Sequence, residues 1–206
     1  IVGREKEQRE LLSLLENEES QFCAVYGRRR VGKTYLIRET FNYQFCFQHT
    51  GVAKGTLRQQ LSAFRNSLVA AGFAKCAIPK TWMDAFELLK QHINQAPAGK
   101  KILFIDELPW MDTPKSNFIP AFEHICNDWC LARKNFKLVV CGSATSWILD
   151  KLINNKGGLY GRVTLPIYLS PFTLYECREF FKADGLHLDE FDICQAYIAF
   201  GGIPFY

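Results

Sequence analysis

The sequence lacks the features that hold a chain in a membrane or lead it across one. Among its 206 residues, no apolar run approaches the roughly 18 residues of a membrane-spanning helix. The N-terminal stretch also lacks the charged, apolar and small-residue order of a secretory signal. We therefore expect a protein that neither spans nor crosses a membrane.

Disulfide and metal signatures are lacking as well. The eight cysteines form no C-x-x-C pair, and several lie within apolar runs of a chain long enough to fold without bridges. We expect reduced thiols, which indicate a cytoplasmic protein. Cys126 and Cys130, with His124 nearby, come closest to a metal-ligand spacing, but helical packing beside Phe122 and Trp129 is the better interpretation.

Two common catalytic motifs do not occur. The four histidines form no H-E-x-x-H, and Ser143 lies in Gly142-Ser143-Ala144 rather than in G-x-S-x-G. The histidines are therefore interpreted as ordinary structural residues, and Ser143 is not interpreted as a hydrolase nucleophile.

The composition that is present is globular. Hydrophobic residues make up 48% and charged residues 22%, which excludes collagen-like, low-complexity and disordered chains. Lysine and arginine exceed aspartate and glutamate by 25 − 21 = 4. This mild positive charge is compatible with phosphate ligands and too weak to demonstrate nucleic-acid binding.

Short apolar runs alternate with stretches of helical spacing. The runs predict strands at 22–26, 43–48, 102–105, 138–141 and 163–169. Pro166 favours an edge position for the last of them. Helices are predicted at 5–15, 35–41, 57–68, 82–93, 117–132, 173–182 and 190–200. The alternation indicates an α/β layer architecture with a five-stranded parallel sheet.

One loop carries a complete phosphate-binding motif. Residues 27–34 read G-x-x-x-x-G-K-T, directly after an apolar strand and before a helix. Gly27 and Gly32 let the backbone turn its N–H groups inward, and the helix adds the positive end of its dipole. Lys33 is predicted to contact the β- and γ-phosphates, and Thr34 to offer its hydroxyl to Mg²⁺.

The residues around this motif complete the predicted phosphate-binding set. Val31 lies within the loop and Tyr35 opens the helix. The arginines Arg28, Arg29 and Arg30 either reach phosphates or a partner, or are solvated on the outer face of the loop. The second interpretation is the favoured one.

A second buried strand ends in two acids, Asp106 and Glu107. Asp106 is predicted to hold Mg²⁺ through water, and Glu107 to polarise the attacking water. A kinase has less use for the second acid, so Glu107 favours ATP hydrolysis. Pro109 stands where a GTPase has the glycine of D-x-x-G and where a DEAD/DEAH helicase has Asp or His.

With these motifs, the chain resembles the archaeal-type branch of the AAA+/STAND P-loop ATPases, a family also common in bacteria. Ile1-Val2-Gly3-Arg4-Glu5-Lys6-Glu7 matches its entry motif, residues 27–34 its Walker A motif and 102–107 its Walker B motif. The resemblance implies that Val2, Gly3 and Arg4 lie against adenine, and that Pro204 approaches the nucleotide from a small lid.

The resemblance also implies two residues that read the γ-phosphate. Ser143, after the strand 138–141, takes the position of the polar sensor. Arg162, within Leu159-Tyr160-Gly161-Arg162, takes that of the arginine that meets the γ-phosphate in cis or from a neighbouring subunit. A recognisable arginine of the second sensor is absent.

The resemblance implies a three-layer fold with the sheet order 5-1-4-3-2. We expect residues 1–185 to form the ATPase core and 186–206 to begin a C-terminal helical lid that is cut short. Family members often carry a further C-terminal domain, so the chain is interpreted as the core of a longer protein.

Three functions remain open. The first is Mg²⁺-dependent ATP hydrolysis, with ATP or ADP as ligand and slow turnover in isolation. The second is a nucleotide-gated switch that controls DNA binding or signalling through a C-terminal part. The third is a nucleotide kinase. A homo-oligomer and a DNA partner are left open.

Overall fold

Five parallel strands form the centre of the computed structural model, which describes residues 1–97, 99 and 101–205. The strands are β1 (Gln21–Tyr26), β2 (Phe47–Thr50), β3 (Lys101–Asp106), β4 (Phe136–Gly142) and β5 (Leu165–Tyr168). They lie in the order β2-β3-β4-β1-β5, which is the predicted order 5-1-4-3-2 read from the other edge. The predicted α/β fold with a parallel sheet is confirmed.

Helices cover both faces of this sheet. They are α1 (Glu5–Glu16), α2 (Lys33–Thr40), α3 (Leu57–Ala70), α4 (Trp82–Gln95), α5 (Phe118–Ile125), α6 (Thr145–Ile148), α7 (Leu174–Ala183) and α8 (Glu190–Phe200). A 3₁₀ turn at Leu108–Met111 follows β3. A threonine is the N-cap residue of three of the longer helices, α3, α4 and α7, and each of these helices has a capping box.

Successive side chains along each strand pack alternately into two separate apolar layers, one on each face of the sheet. Leu103 and Ile105 of β3 pack into the layer beneath α3, α4 and α5, while Phe104 packs into the layer beneath α1 and α2. Because strands buried on both faces need apolar residues at every position, the runs of β1, β3 and β4 are nearly continuous.

Two predicted elements differ from those observed. The second strand begins at Phe47, not at residue 43, because Asn42 and Tyr43 have positive φ angles and form the turn that ends α2. The helix predicted over 117–132 is α-helical only to Ile125 and continues as a π-turn at Cys126–Cys130. Both cysteines of that turn are buried in the core, in agreement with the packing interpretation.

The carboxyl ends of β1, β3 and β4 meet at one edge of the sheet. Val25 is opposite Cys141 in the pairing of β1 with β4, and Ile105 is opposite Val140 in the pairing of β3 with β4. The loops that leave these three strands therefore lie side by side, where ligands of open parallel sheets bind. The division of the chain near residue 185 stays a prediction.

Candidate nucleotide-binding site

The loop between β1 and α2 has the backbone that its glycines predict. Gly27 has φ +149°, and a Cβ there would lie 2.3 Å from the carbonyl oxygen of Leu169. Gly32, at φ +91°, is the residue from which α2 begins. A side chain at Gly27 would collide with the strand-to-loop segment of β5, so this position requires glycine.

Lys33 is held inside this loop. Its Nζ donates hydrogen bonds to the carbonyl oxygens of Gly27 at 3.1 Å and Arg28 at 2.8 Å, and to Oγ of Ser143 at 3.2 Å. Burial lowers the pKa of the Lys33 ammonium, while nearby Cys141, Glu107 and Asp106 act in the opposite direction. The ammonium thus lies beside acceptors that an anionic ligand can replace.

Thr34 and Asp106 meet from α2 and β3. The Thr34 hydroxyl lies 3.1 Å from Oδ1 and 3.0 Å from Oδ2 of Asp106. The Asp106 carboxylate is buried, and its Oδ1 also accepts from the backbone N–H of Glu107 at 2.9 Å. A hydroxyl and a carboxylate at this separation form the oxygen set that Mg²⁺ prefers.

Glu107 occupies a left-handed conformation, with φ 47° and ψ 46°, directly after β3. Its Oε1 accepts from the Ser143 hydroxyl at 2.6 Å, and its Oε2 accepts from the Ser143 backbone N–H at 3.1 Å. A non-glycine residue in this region is strained, and such strain is concentrated at functional sites. The turn brings the carboxylate back across the end of β4.

A cavity of about 500 Å³ opens over these groups. Its polar end includes Lys33, Thr34, Glu107 and Ser143. Aliphatic and aromatic side chains form much of the rest. Further lining residues are Ile1, Val2, Arg4, Arg30, Val31, Gly32, Tyr35, Leu36, Leu169, Phe172, Phe180, Ala183, Asp184, Pro204 and Phe205. The cavity therefore combines a polar end, which includes the Lys33 ammonium, with an apolar end.

Comparison with known families decides what kind of domain this is. Over residues 1–206 the sequence matches a family described as an ATPase domain predominantly from Archaea. The chain belongs to this ATPase domain family. The archaeal-type ATPase resemblance is thereby confirmed, and the domain is a nucleotide-binding P-loop ATPase.

Individual relatives of the ATPase domain are distant. An uncharacterized protein of Methanocaldococcus jannaschii is 29% identical over the whole chain, which spans 43% of that relative's length. The Walker-type ATPase PABY2304 of Pyrococcus abyssi has a TM-score of 0.66 at 21% identity, over 99% of this chain and 65% of that one. The CDC6P protein of Pyrobaculum aerophilum has a TM-score of 0.60 at 17% identity, over 87% of this chain and 48% of that one. At these identities, the solved structures show a shared fold.

No helix within residues 1–97, 99 and 101–205 of the ATPase domain is both long and apolar enough to span a membrane.

The N-terminal segment reaches the cavity through Val2 and Arg4. Arg4 is 5% exposed, and its Nη2 donates to the carbonyl oxygen of Ser170 at 2.7 Å. Its guanidinium lies 4.6 Å from the ring centroid of Phe172. Burial lowers the pKa of Arg4, although nearby Glu176 and Glu7 raise it. These contacts hold the segment against the apolar end of the cavity.

Several predicted site residues do not line the cavity. They include Gly3, Gly27, the buried Asp106 and the exposed Arg28. Arg29 turns toward the ring of Trp110, 5.7 Å away, whereas Arg30 lines the cavity and lies 4.8 Å from the ring of Phe205. The three loop arginines therefore have different surroundings.

Arg162 is the predicted residue most clearly apart from the site. It is exposed, follows the Gly161 turn, and is not among the lining residues of the cavity. Within this chain, its side chain is not brought to Lys33 or Ser143. A role from a neighbouring subunit stays a prediction.

Some site residues were missed by sequence reasoning. The apolar end includes Phe172, Phe180 and Phe205, which come from segments far along the chain from the phosphate loop. Their signal in the sequence is only apolarity, which also predicts ordinary core residues. Cys141 was also missed, although its place at the carboxyl end of β4, beside β3, could have indicated it.

Proposed function

We propose that this ATPase domain binds Mg²⁺ with ATP and hydrolyses it, using residues 27–34 as the Walker A motif and Asp106 and Glu107 as the Walker B acids. The observation that carries the proposal is the contact of the Thr34 hydroxyl with the Asp106 carboxylate, at 3.0 and 3.1 Å. This contact brings together two motifs that are 72 residues apart in the sequence. It lies beside the buried ammonium of Lys33.

The residues at the polar end fit such a ligand. Thr34 and Asp106 would hold Mg²⁺, and Lys33 would bind the β- and γ-phosphates with the loop N–H groups of residues 27–34. Carboxylate and hydroxyl oxygens are suitable ligands for this ion, and a buried ammonium is suitable for phosphate. When bound, Mg²⁺ would supply positive charge that stabilises the charge developing on the phosphates.

Glu107 and Ser143 would act at the γ-phosphate. Glu107 would orient a water molecule and accept its proton, because its carboxylate is partly exposed at the cavity. Ser143, which already contacts both Lys33 and Glu107, would read the γ-phosphate. Both groups are attached to strand ends of one sheet, which keeps their separation fixed.

The apolar end would take the base. Val2, Phe172, Phe180 and Pro204 line that part of the cavity, and aromatic and aliphatic side chains bind the faces of a purine ring. Arg4 would position the entry segment through Ser170 and Phe172. Adenine is therefore the base that we assign to this end, in agreement with the family.

A second candidate is a slow nucleotide-gated switch of the STAND type. It is favoured by the contact of Glu107 with Ser143, which occupies both oxygens of the proposed base, and by the position of Arg162 outside the lining of the cavity. Output would then depend on ATP versus ADP rather than on turnover. This second candidate includes a homo-oligomer in which a neighbouring subunit supplies Arg162. It also includes DNA or a signalling protein as the partner.

The test is calorimetric titration of ATP and ADP with Mg²⁺, with phosphate release measured on the same samples. Lys33→Ala should weaken binding about 10- to 100-fold, because hydrogen bonds to charged groups contribute about 1.5–3 kcal/mol. Lys156→Ala, at an exposed lysine that does not line the cavity, is the matched control and should bind as the wild type does.

The outcomes separate the two candidates. If the wild type binds nucleotide and releases phosphate, and Lys33→Ala weakens the binding, the result supports the ATPase. Binding of the same kind without release supports the switch. If the folded wild-type protein binds neither nucleotide, both candidates are wrong.

A further inference from the structure

Cys141 lies inside the proposed metal site but has no part in the mechanism above. It is the sixth residue of β4, fully buried, and packs in the layer beneath α2. Its Sγ lies 2.7 Å from Oδ1 of Asp106. Because Ile105 is opposite Val140, the next residues along the two parallel strands, Asp106 and Cys141, also lie side by side.

The thiol is the donor in this contact. A carboxylate oxygen accepts hydrogen bonds, and the Cys141 S–H is the group placed to donate one to Oδ1 of Asp106. A thiol that keeps its proton can donate to a carboxylate and is a poor nucleophile. The contact therefore orients Asp106 and does not prepare the sulfur for chemistry.

The two oxygens of Asp106 have different partners as a result. Oδ1 accepts from Cys141 at 2.7 Å, from the N–H of Glu107 at 2.9 Å and from Thr34 at 3.1 Å. Oδ2 has Thr34, at 3.0 Å, as its hydrogen-bond partner among the described residues. Two donors from the sheet thus fix one oxygen, and the second keeps free lone pairs on the side of α2.

We propose that Cys141 is a positioning residue, whose thiol fixes the rotation of the Asp106 carboxylate and leaves Oδ2, beside the Thr34 hydroxyl, available to the Mg²⁺ that these two residues would hold. This inference rests on the proposed function of the site. Partners that orient a metal-binding carboxylate commonly contribute 10- to 100-fold in metal affinity. Loss of the thiol should therefore act on the metal and spare metal-free nucleotide binding.

The chain supplies a matched control in Cys23. That thiol is also fully buried, packs in the same apolar layer on β1, and has no side-chain hydrogen bond among the residues that the structure describes. Removing either sulfur leaves a similar void in the sheet. Only Cys141 contacts a carboxylate of the proposed site.

The experiment titrates Mg²⁺ into each protein at fixed ADP and measures ADP affinity by calorimetry, with a parallel series in EDTA. The variants are Cys141→Ala, Cys141→Val, Cys141→Ser and Cys23→Ala, each checked for folding by circular dichroism. The Mg²⁺ concentration for half-maximal effect should rise about 10-fold in Cys141→Ala and Cys141→Val. Cys141→Ser should recover most of the response, because a hydroxyl can donate to Asp106. ADP affinity in EDTA should be unchanged in all of them.

Two results would overturn the inference while leaving the proposed function intact. One is a Mg²⁺ response of Cys141→Ala and Cys141→Val that equals that of Cys23→Ala. The other is an equal loss in Cys141→Ser and Cys141→Val, which indicates packing rather than hydrogen bonding. If Cys141→Ala does not fold, Cys141→Val and Cys141→Ser decide. If the ADP affinity of the wild type is the same with and without Mg²⁺, that result contradicts the proposed function itself.

Discussion

Ser143 holds both oxygens of the Glu107 carboxylate, one through its hydroxyl at 2.6 Å and one through its backbone N–H at 3.1 Å. The same hydroxyl accepts a hydrogen bond from Lys33 at 3.2 Å. Because a hydroxyl has one proton to donate, Ser143 cannot give it to Glu107 and to a phosphate at the same time. Arrival of a γ-phosphate at this point would therefore free Oε1 of Glu107, while Oε2 keeps the backbone N–H of Ser143.

Glu107→Gln should abolish hydrolysis and leave nucleotide affinity in place. The amide keeps the shape of the side chain but cannot accept a proton from water. A general base contributes about 10²–10⁴ in rate, so phosphate release should fall by at least about 100-fold. Glu39→Gln, on the exposed side of α2, is the control. Retained hydrolysis in the folded Glu107→Gln protein would assign the base to another residue.

Ser143→Ala should reduce the preference for ATP over ADP. The hydroxyl that we assign to the γ-phosphate has no corresponding partner in ADP, and a hydrogen bond to a charged group contributes about 1.5–3 kcal/mol. The ratio of the two affinities, measured by calorimetry, should fall about 10-fold or more. Ser146→Ala, which removes a hydroxyl in α6 close by in the chain, should leave the ratio unchanged. An equal loss of ATP and ADP affinity in Ser143→Ala would argue for a general role in shaping the loop.

Arg162→Ala should affect turnover only at protein concentrations where chains associate. Arg162 lies outside the cavity of its own chain, and an arginine supplied to a γ-phosphate contributes about 10³–10⁵ in rate. ATPase activity per molecule should rise with concentration in the wild type and in Lys156→Ala, a change in the same exposed region. It should stay flat in Arg162→Ala, with ATP affinity unchanged. Equal activity of Arg162→Ala and the wild type at every concentration would rule out action of Arg162 from a neighbouring subunit.

His49 should make the fold sensitive to acid. The side chain is 3% exposed on β2, and its Nδ1 lies 2.9 Å from Oγ of Ser67. Its Nε2 is buried without a hydrogen-bond partner among the described residues. Burial lowers the pKa of His49 to about 4, because no acceptor is placed to receive the second N–H of the charged ring.

The direction of this effect follows from proton binding. The folded pKa lies below the unfolded value, so the unfolded chain binds more protons between about pH 6.5 and 4, and acid favours unfolding. His49 should contribute about 2 kcal/mol to the fall in the free energy of unfolding between pH 7 and pH 5. Urea unfolding of His49→Gln should show a smaller fall over this interval, whereas His187→Gln, at an exposed site, should match the wild type. An identical fall in all three proteins would contradict this assignment.

The sequence by itself determined the parts of this protein that depend on neighbours along the chain. The turn through Gly27 and Gly32, the buried strand that ends at Asp106, and the edge position of Pro166 all follow from local backbone and burial preferences. The sheet order was predicted only from the family resemblance, because the apolar runs of β1, β3 and β4 do not indicate which strands are adjacent. The start of β2 was misplaced because aromatic residues such as Tyr43 favour a strand, whereas the chain needs a turn there to leave α2.

Only the tertiary structure decided which distant side chains share the site. Ser143 meets Glu107 across 36 residues and Lys33 across 110, and Cys141 reaches Asp106 because β3 and β4 are adjacent and in register. Phe172, Phe180 and Phe205 join the cavity by packing, which no short motif encodes. Arg162, which the resemblance brought toward the γ-phosphate, is exposed outside the cavity of its own chain. Spacing along the chain specifies a loop or a strand end, but contacts between strand ends depend on the sheet order and on how its layers pack.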